Sequence, residues 1–205
     1  MKQLTFIALA FFAVSFSPPP VVNNEERMVE FLMEHLSIKY QKQKFDRFIY
    51  VAVKRQQLFF IAGNKVEKSY PVSTSRYGTG SQLNSEKTPL GLHKISHKTG
   101  EKTPLGGIIK GNSYTGEIAA IESQPFTTGK DEVTTRALRL EGIESGINKG
   151  GKQDSFNREI YIHGTPEEGL IGSPASHGCV RMKNLDVMDL FERVKEGTFV
   201  VILNN

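Results

Sequence analysis

The chain has 205 residues, 38% of them hydrophobic and 23% charged, and a formal net charge of +4. That balance excludes a disordered polymer, and the absence of a dense Lys/Arg run with interleaved aromatics leaves nucleic-acid binding without support. A single cysteine, Cys179, excludes a disulfide framework within the chain.

In chain order, Lys2 precedes an apolar run from Leu4 to Val14, which Ser15-Phe16-Ser17 and Pro18-Pro19-Pro20 then end. The run is shorter than the ~20 residues needed to span a bilayer. Residues 1–17 therefore read as a signal peptide, with an uncleaved anchor as the alternative. The remainder suffices for one domain with a real core and is too short for two comfortable ones. Residues 18–45 form an N-terminal helical segment. Over 24–40, Met28, Leu32 and Leu36 recur at helical spacing beside Val29 and Met33, and Asn23 with Glu26 is a capping start. This helix is expected to be a structural strap on the main domain.

From Phe45 the period changes to that of strands. Phe48–Val53, Leu58–Ala62 and Val66–Val72 read as a meander, its second turn at Gly63-Asn64. Further strands are expected at Leu92–Ile95, Ile118–Ile121, Ala137–Leu140, Ile160–Ile162 and Phe199–Leu203. Short strands with glycine-rich links predict a mainly β fold, a sandwich or barrel. A second helix is expected from Asn184 as N-cap, with Asp186 in its first turn. Val187, Leu190, Phe191 and Val194 make its apolar stripe, and Lys195 and Gly197 its close. Segments 106–125 and 142–158 are glycine-rich or polar and read as functional loops, a substrate lid among their roles.

The chemistry gathers at Ser176-His177-Gly178-Cys179, with His163 upstream at the end of an apolar strand. An exported chain normally pairs its cysteines, so a lone one reads as kept for reactivity rather than packing. Its thiol needs a neighbouring base, and a strand-end histidine followed by Gly164 suits that task. Gly178 allows close backbone approach, and the amides of Gly178 and Cys179 are candidate oxyanion donors. The plain alternative is that Cys179 is a small buried hydrophobe and the histidines are ordinary core or turn residues. Zinc is disfavoured, since no second cysteine exists and the spacing is not that of a zinc site.

The stretch Ile162-His163-Gly164-Thr165, then Gly172-Ser173-Pro174-Ala175-Ser176-His177-Gly178-Cys179-Val180-Arg181-Met182 and Asp186, strongly resembles L,D-transpeptidases of the YkuD type. Thr88-Pro89-Leu90-Gly91-Leu92-His93 is similar to that family's upstream strand entry. The resemblance makes 46–205 the catalytic domain and implies a β-sandwich with short helices. It implies a cysteine-dependent acyltransferase acting on peptidoglycan stem peptides without cofactor or metal, exported to the periplasm or cell envelope and monomeric. Carried onto this sequence, Cys179 is the nucleophile and His163 its base, oriented by the carbonyl of Gly164. His177 supports catalysis, and Ser176 fixes the loop. The acceptor would be an amine of a second stem or of a wall-attached protein, or water in a carboxypeptidase. Arg181 stands where many members carry asparagine. It either binds a substrate carboxylate or pairs structurally with Asp186 or Glu192. A non-catalytic wall-binding protein of the same fold is the competing class. A thiol redox role would want a resolving cysteine, which this sequence does not contain.

Overall fold

The computed structural model describes residues 23–205, so the expected signal segment lies outside the described residues. Helix α1 (Asn24–Lys39) opens at the expected capping box. Asn23 Oδ1 accepts from the Glu26 amide, and the Glu26 carboxylate accepts from the Asn23 amide. Two otherwise orphaned donors of the first turn are satisfied together.

Ten strands follow: β1 (Arg47–Ala52), β2 (Gln57–Ala62), β3 (Lys65–Ser73), β4 (Gly91–Thr99), β5 (Gly107–Lys110), β6 (Ser113–Ile118), β7 (Thr134–Gly142), β8 (Tyr161–Gly164), β9 (Val180–Met182) and β10 (Phe199–Leu203). Helix α2 (Asn184–Arg193) lies between β9 and β10. The sheet runs β4-β10-β1-β2-β3-β9-β8-β7, and β7 pairs back onto β4 from His93↔Gly142 to Thr99↔Ala137. The ring therefore closes into a barrel-like sandwich, mainly β with two α-helices, as the sequence predicts. The β5–β6 hairpin hangs from β7 through Ile108↔Thr134.

The apolar runs in β1 and β2 are continuous rather than alternating because both faces are covered. Ile49, Val51, Leu58 and Phe60 point inward to a core that α2 fills with Val187, Leu190 and Phe191. Phe48, Tyr50, Phe59 and Ile61 point outward, under Val29, Leu32 and Leu36 of α1. The strap expected from the sequence is thus the lid of a second apolar layer.

Three expectations need correction. The strand expected at Ile118–Ile121 ends at Ile118, because the pairing is set upstream by the Gly111-Asn112 turn. Those two residues have φ of 54° and 66°, the paired left-handed conformation of a tight hairpin turn. Segment 106–125 is therefore partly a hairpin. Asn184 is not the N-cap of α2; Lys183 is, without a side-chain cap. Asn184 is buried instead: its amide and Nδ2 both donate to Glu168 Oε1 at 2.7 Å, and its Oδ1 accepts from Thr134 and Thr135. Loop 142–158 is wired down rather than free. Asn148 Nδ2 donates to the Leu90 and Leu92 carbonyls, and Glu144 accepts from the Leu92 amide and the Tyr40 hydroxyl.

Candidate active site

Strands β8 and β9 run parallel, with Ile162 opposite Val180 and His163 opposite Arg181. Cys179 is the residue just before β9, so it meets the start of β8. The Tyr161 amide donates to Cys179 Sγ at 3.3 Å, and the thiol lies 3.5 Å from the Glu159 carbonyl. Two residues on, His163 is 1% exposed, with Nδ1 2.8 Å from the Gly164 carbonyl. A carbonyl only accepts, so Nδ1 carries the proton and Nε2 keeps its lone pair. Gly164 admits no side chain: a Cβ there would sit 2.6 Å from the Thr134 carbonyl and 2.7 Å from Asn184 Oδ1.

The loop that carries Cys179 is stitched to the end of β3. The amides of Ala175 and Ser176 donate to the Thr74 carbonyl, and the Arg76 amide donates to that of Ser176. Ser176 Oγ donates to the Cys179 carbonyl at 2.6 Å and accepts from the Gly178 amide at 3.2 Å. Gly178 has φ of 127°, a conformation that side chains rarely adopt. The Gly178 amide was a candidate oxyanion donor; with its hydrogen engaged by Ser176, the Cys179 amide is left as the donor of that pair.

The electrostatics favour two neutral partners. Burial pushes the Cys179 thiol up to about 12; the Tyr161 amide opposes this, and the Asp131 charge adds to it. Burial likewise holds His163 below its ordinary value, partly offset by Asp131 and by the Gly164 carbonyl. The resting site holds a neutral thiol just before β9 and a neutral imidazole on the neighbouring β8, groups suited to base-assisted attack by sulfur.

The other predicted residues are placed differently from expectation. His177 is engaged at both ring nitrogens, Nδ1 2.6 Å from Asp131 Oδ2 and Nε2 2.7 Å from Arg76 Nη2. Arg181 is 1% exposed and pairs with neither Asp186 nor Glu192. Its Nη1 donates to Glu167 Oε2 at 2.9 Å and its Nε to Asp131 Oδ1 at 2.8 Å. A substrate carboxylate would have to displace one of these acids to reach it, so the structure gives Arg181 a structural pair in place of an open binding site. Asp131, Arg76 and Glu167 escaped the sequence reading because no local pattern marks them; the one available signal was the long polar segment before β7. A cleft of about 480 Å³ is lined by Ile108, Lys110, Asn112, Asp131, Glu159 and Tyr161, the last two of which contact the Cys179 thiol.

Residues 46–202 match the YkuD family, the L,D-transpeptidase catalytic domain. The chain belongs to that family. The putative L,D-transpeptidase YqjB of Bacillus subtilis is 27% identical over 161 residues, 78% of this chain and 73% of that protein. The putative L,D-transpeptidase YkuD of the same organism is 33% identical over 87 residues, 40% of this chain and 53% of the relative. A solved L,D-transpeptidase from Xylanimonas cellulosilytica is 15% identical, with a TM-score of 0.49 over 79% of this chain and 62% of that one. The chain thus spans little more than half the length of some relatives it matches. The L,D-transpeptidase domain begins just before β1, so α1 lies outside the family match.

Proposed function

We propose that this chain is a peptidoglycan L,D-transpeptidase that works through a Cys179 thioester. The observation that carries the reading is the pairing of β8 with β9, which sets Cys179 beside the strand of His163 while Gly164 keeps Nε2 free. In the proposed reaction, Sγ attacks the carbonyl between the third residue of a stem peptide and its terminal D-alanine. The thiol proton passes to His163 Nε2. The Cys179 amide meets the developing oxyanion. As the C–N bond breaks, His163 returns the proton to the amine of D-alanine, which leaves. An acceptor amine, from a second stem or a wall-attached protein, then attacks the thioester, and its proton goes back through His163 to the sulfur. Water in that role makes the enzyme a carboxypeptidase. The signal-like Lys2 and Leu4–Val14 pattern supports a place in the periplasm or cell envelope, where this polymer lies.

Intact-mass spectrometry after incubation with a disaccharide-tetrapeptide, with Cys179→Ala as control, tests the reading. The expected result is an acyl adduct on the native chain alone, free D-alanine and a cross-linked dimer. Trimmed peptide without dimer would move the assignment to the carboxypeptidase, and a folded chain giving neither adduct nor product would move it to a wall-binding protein.

A further inference from the structure

The proposed chemistry makes no use of Asp131, yet its carboxylate is where three segments meet. Oδ2 accepts from His177 Nδ1 on the nucleophile loop. Oδ1 accepts from Arg181 on β9, from Nε at 2.8 Å and Nη2 at 2.5 Å. Arg181 continues to Glu167, and Glu167 Oε1 accepts from Thr127 and Thr128, which belong to the same 119–133 segment as Asp131. Backbone hydrogen bonds at Ala119, Glu122 and Val133 also hold that segment, but its ties through the Asp131 and Glu167 carboxylates both lead to Arg181.

Arg76 and Asp131 together decide what His177 is. A guanidinium only donates, so Arg76 Nη2 gives a hydrogen to Nε2, and Nδ1 keeps the proton it offers to Asp131. An imidazole held at both nitrogens has no lone pair free for the thiol proton. His163 has one, because its Nε2 is not bound by the Gly164 carbonyl.

We propose that Asp131 is a positioning residue of the active site, holding the His177 ring at Nδ1, neutralising the buried guanidinium of Arg181 and latching the 119–133 segment beside the nucleophile. The two histidines then divide the work: His163 moves the proton and His177 is a strut. This inference rests on the reading of Cys179 and His163 as nucleophile and base. The charged groups facing His163 are Asp131 and Arg181, and Cys179 faces these two and Arg158. Of these, only Asp131 supports the imidazolium that forms when His163 takes the proton, so removing its charge should make His163 a weaker base.

The test is Asp131→Asn, with Asp131→Glu and Glu122→Gln as companions, read by histidine side-chain nitrogen NMR across pH and by donor turnover. In Asp131→Asn, the His177 Nδ1 signal is expected to shift as its charge-assisted hydrogen bond weakens, the His163 midpoint to fall, and turnover to drop about tenfold or more. Asp131→Glu should restore the midpoint by restoring the charge. Glu122→Gln, a charge removed from the same segment outside the network, should leave both histidine signals unchanged. An unaltered His177 Nδ1 signal and His163 midpoint in Asp131→Asn would overturn the proposal. So would equal shifts in Glu122→Gln, which would reduce the effect to segment charge. The NMR readouts need no turnover, so the histidine shifts in a chain that forms no acyl adduct would uphold the latch and sink the transpeptidase reading instead.

Discussion

A thiol pushed up to about 12 and an imidazole held below its ordinary value do not form an ion pair at rest. In the proposed mechanism the proton therefore moves to His163 as sulfur attacks. His163→Ala is expected to slow formation of the acyl adduct by roughly 10²-fold or more. Stopped-flow acylation measures this directly. If His163→Ala lowered stability but acylated at the native rate, His163 would be a core residue and the base would lie elsewhere. His177 differs at the same scale, since its two nitrogens already have partners in Asp131 and Arg76.

Among the elements, α1 is the one whose job is purely physical. It covers the outer face of β1 and β2, and Leu36 is fully buried there with Phe48 and Phe59 in the same cluster. Leu36→Ala should lower stability by about 2–5 kcal/mol through lost burial and the cavity left behind. Urea unfolding followed by circular dichroism measures the loss. Because the site sits on β8 and β9, the folded variant should acylate at the native rate. A folded Leu36→Ala chain with impaired acylation would show that α1 supports the site as well as the core. The β5–β6 hairpin has the opposite character, since β6 is exposed along its length while the turn residues line the cleft.

The whole molecule is held by closure of the ring, and one buried histidine guards that closure. His93 on β4 is fully buried, with Nδ1 3.2 Å from the Gly91 carbonyl and Nε2 3.0 Å from Ser155 Oγ in the 142–158 loop. Burial depresses its pKa from 6.5 to about 4. Between those values the unfolded chain binds a proton that the folded chain refuses. Stability should therefore fall as pH drops from about 6.5 to about 4, by up to about 3 kcal/mol from this group alone. Urea unfolding of the native chain and of His93→Gln at neutral pH and at the acid end checks it. The variant should have the shallower pH dependence, and equal slopes would remove His93 from the account.

The pattern of residues along the chain was enough for most of what depends on near neighbours. The capping box of α1, the stripe of α2, the β-rich core runs and the Ser176-His177-Gly178-Cys179 loop were legible because hydrogen-bonding and hydrophobic period act over a few residues. The Gly111-Asn112 turn carried a readable hairpin signal that the strand reading passed over. Ring closure was not legible, because β7 returning to β4 is a choice between sheet edges that no local period encodes. Nor was the role of Arg181: its partners Asp131 and Glu167 lie 50 and 14 residues away, and which acid reaches a buried guanidinium depends on where the backbone brings each one. Local sequence determined the groups proposed to react in this L,D-transpeptidase domain, while tertiary structure alone decided which charges surround them, because buried charges must find partners wherever the fold supplies them.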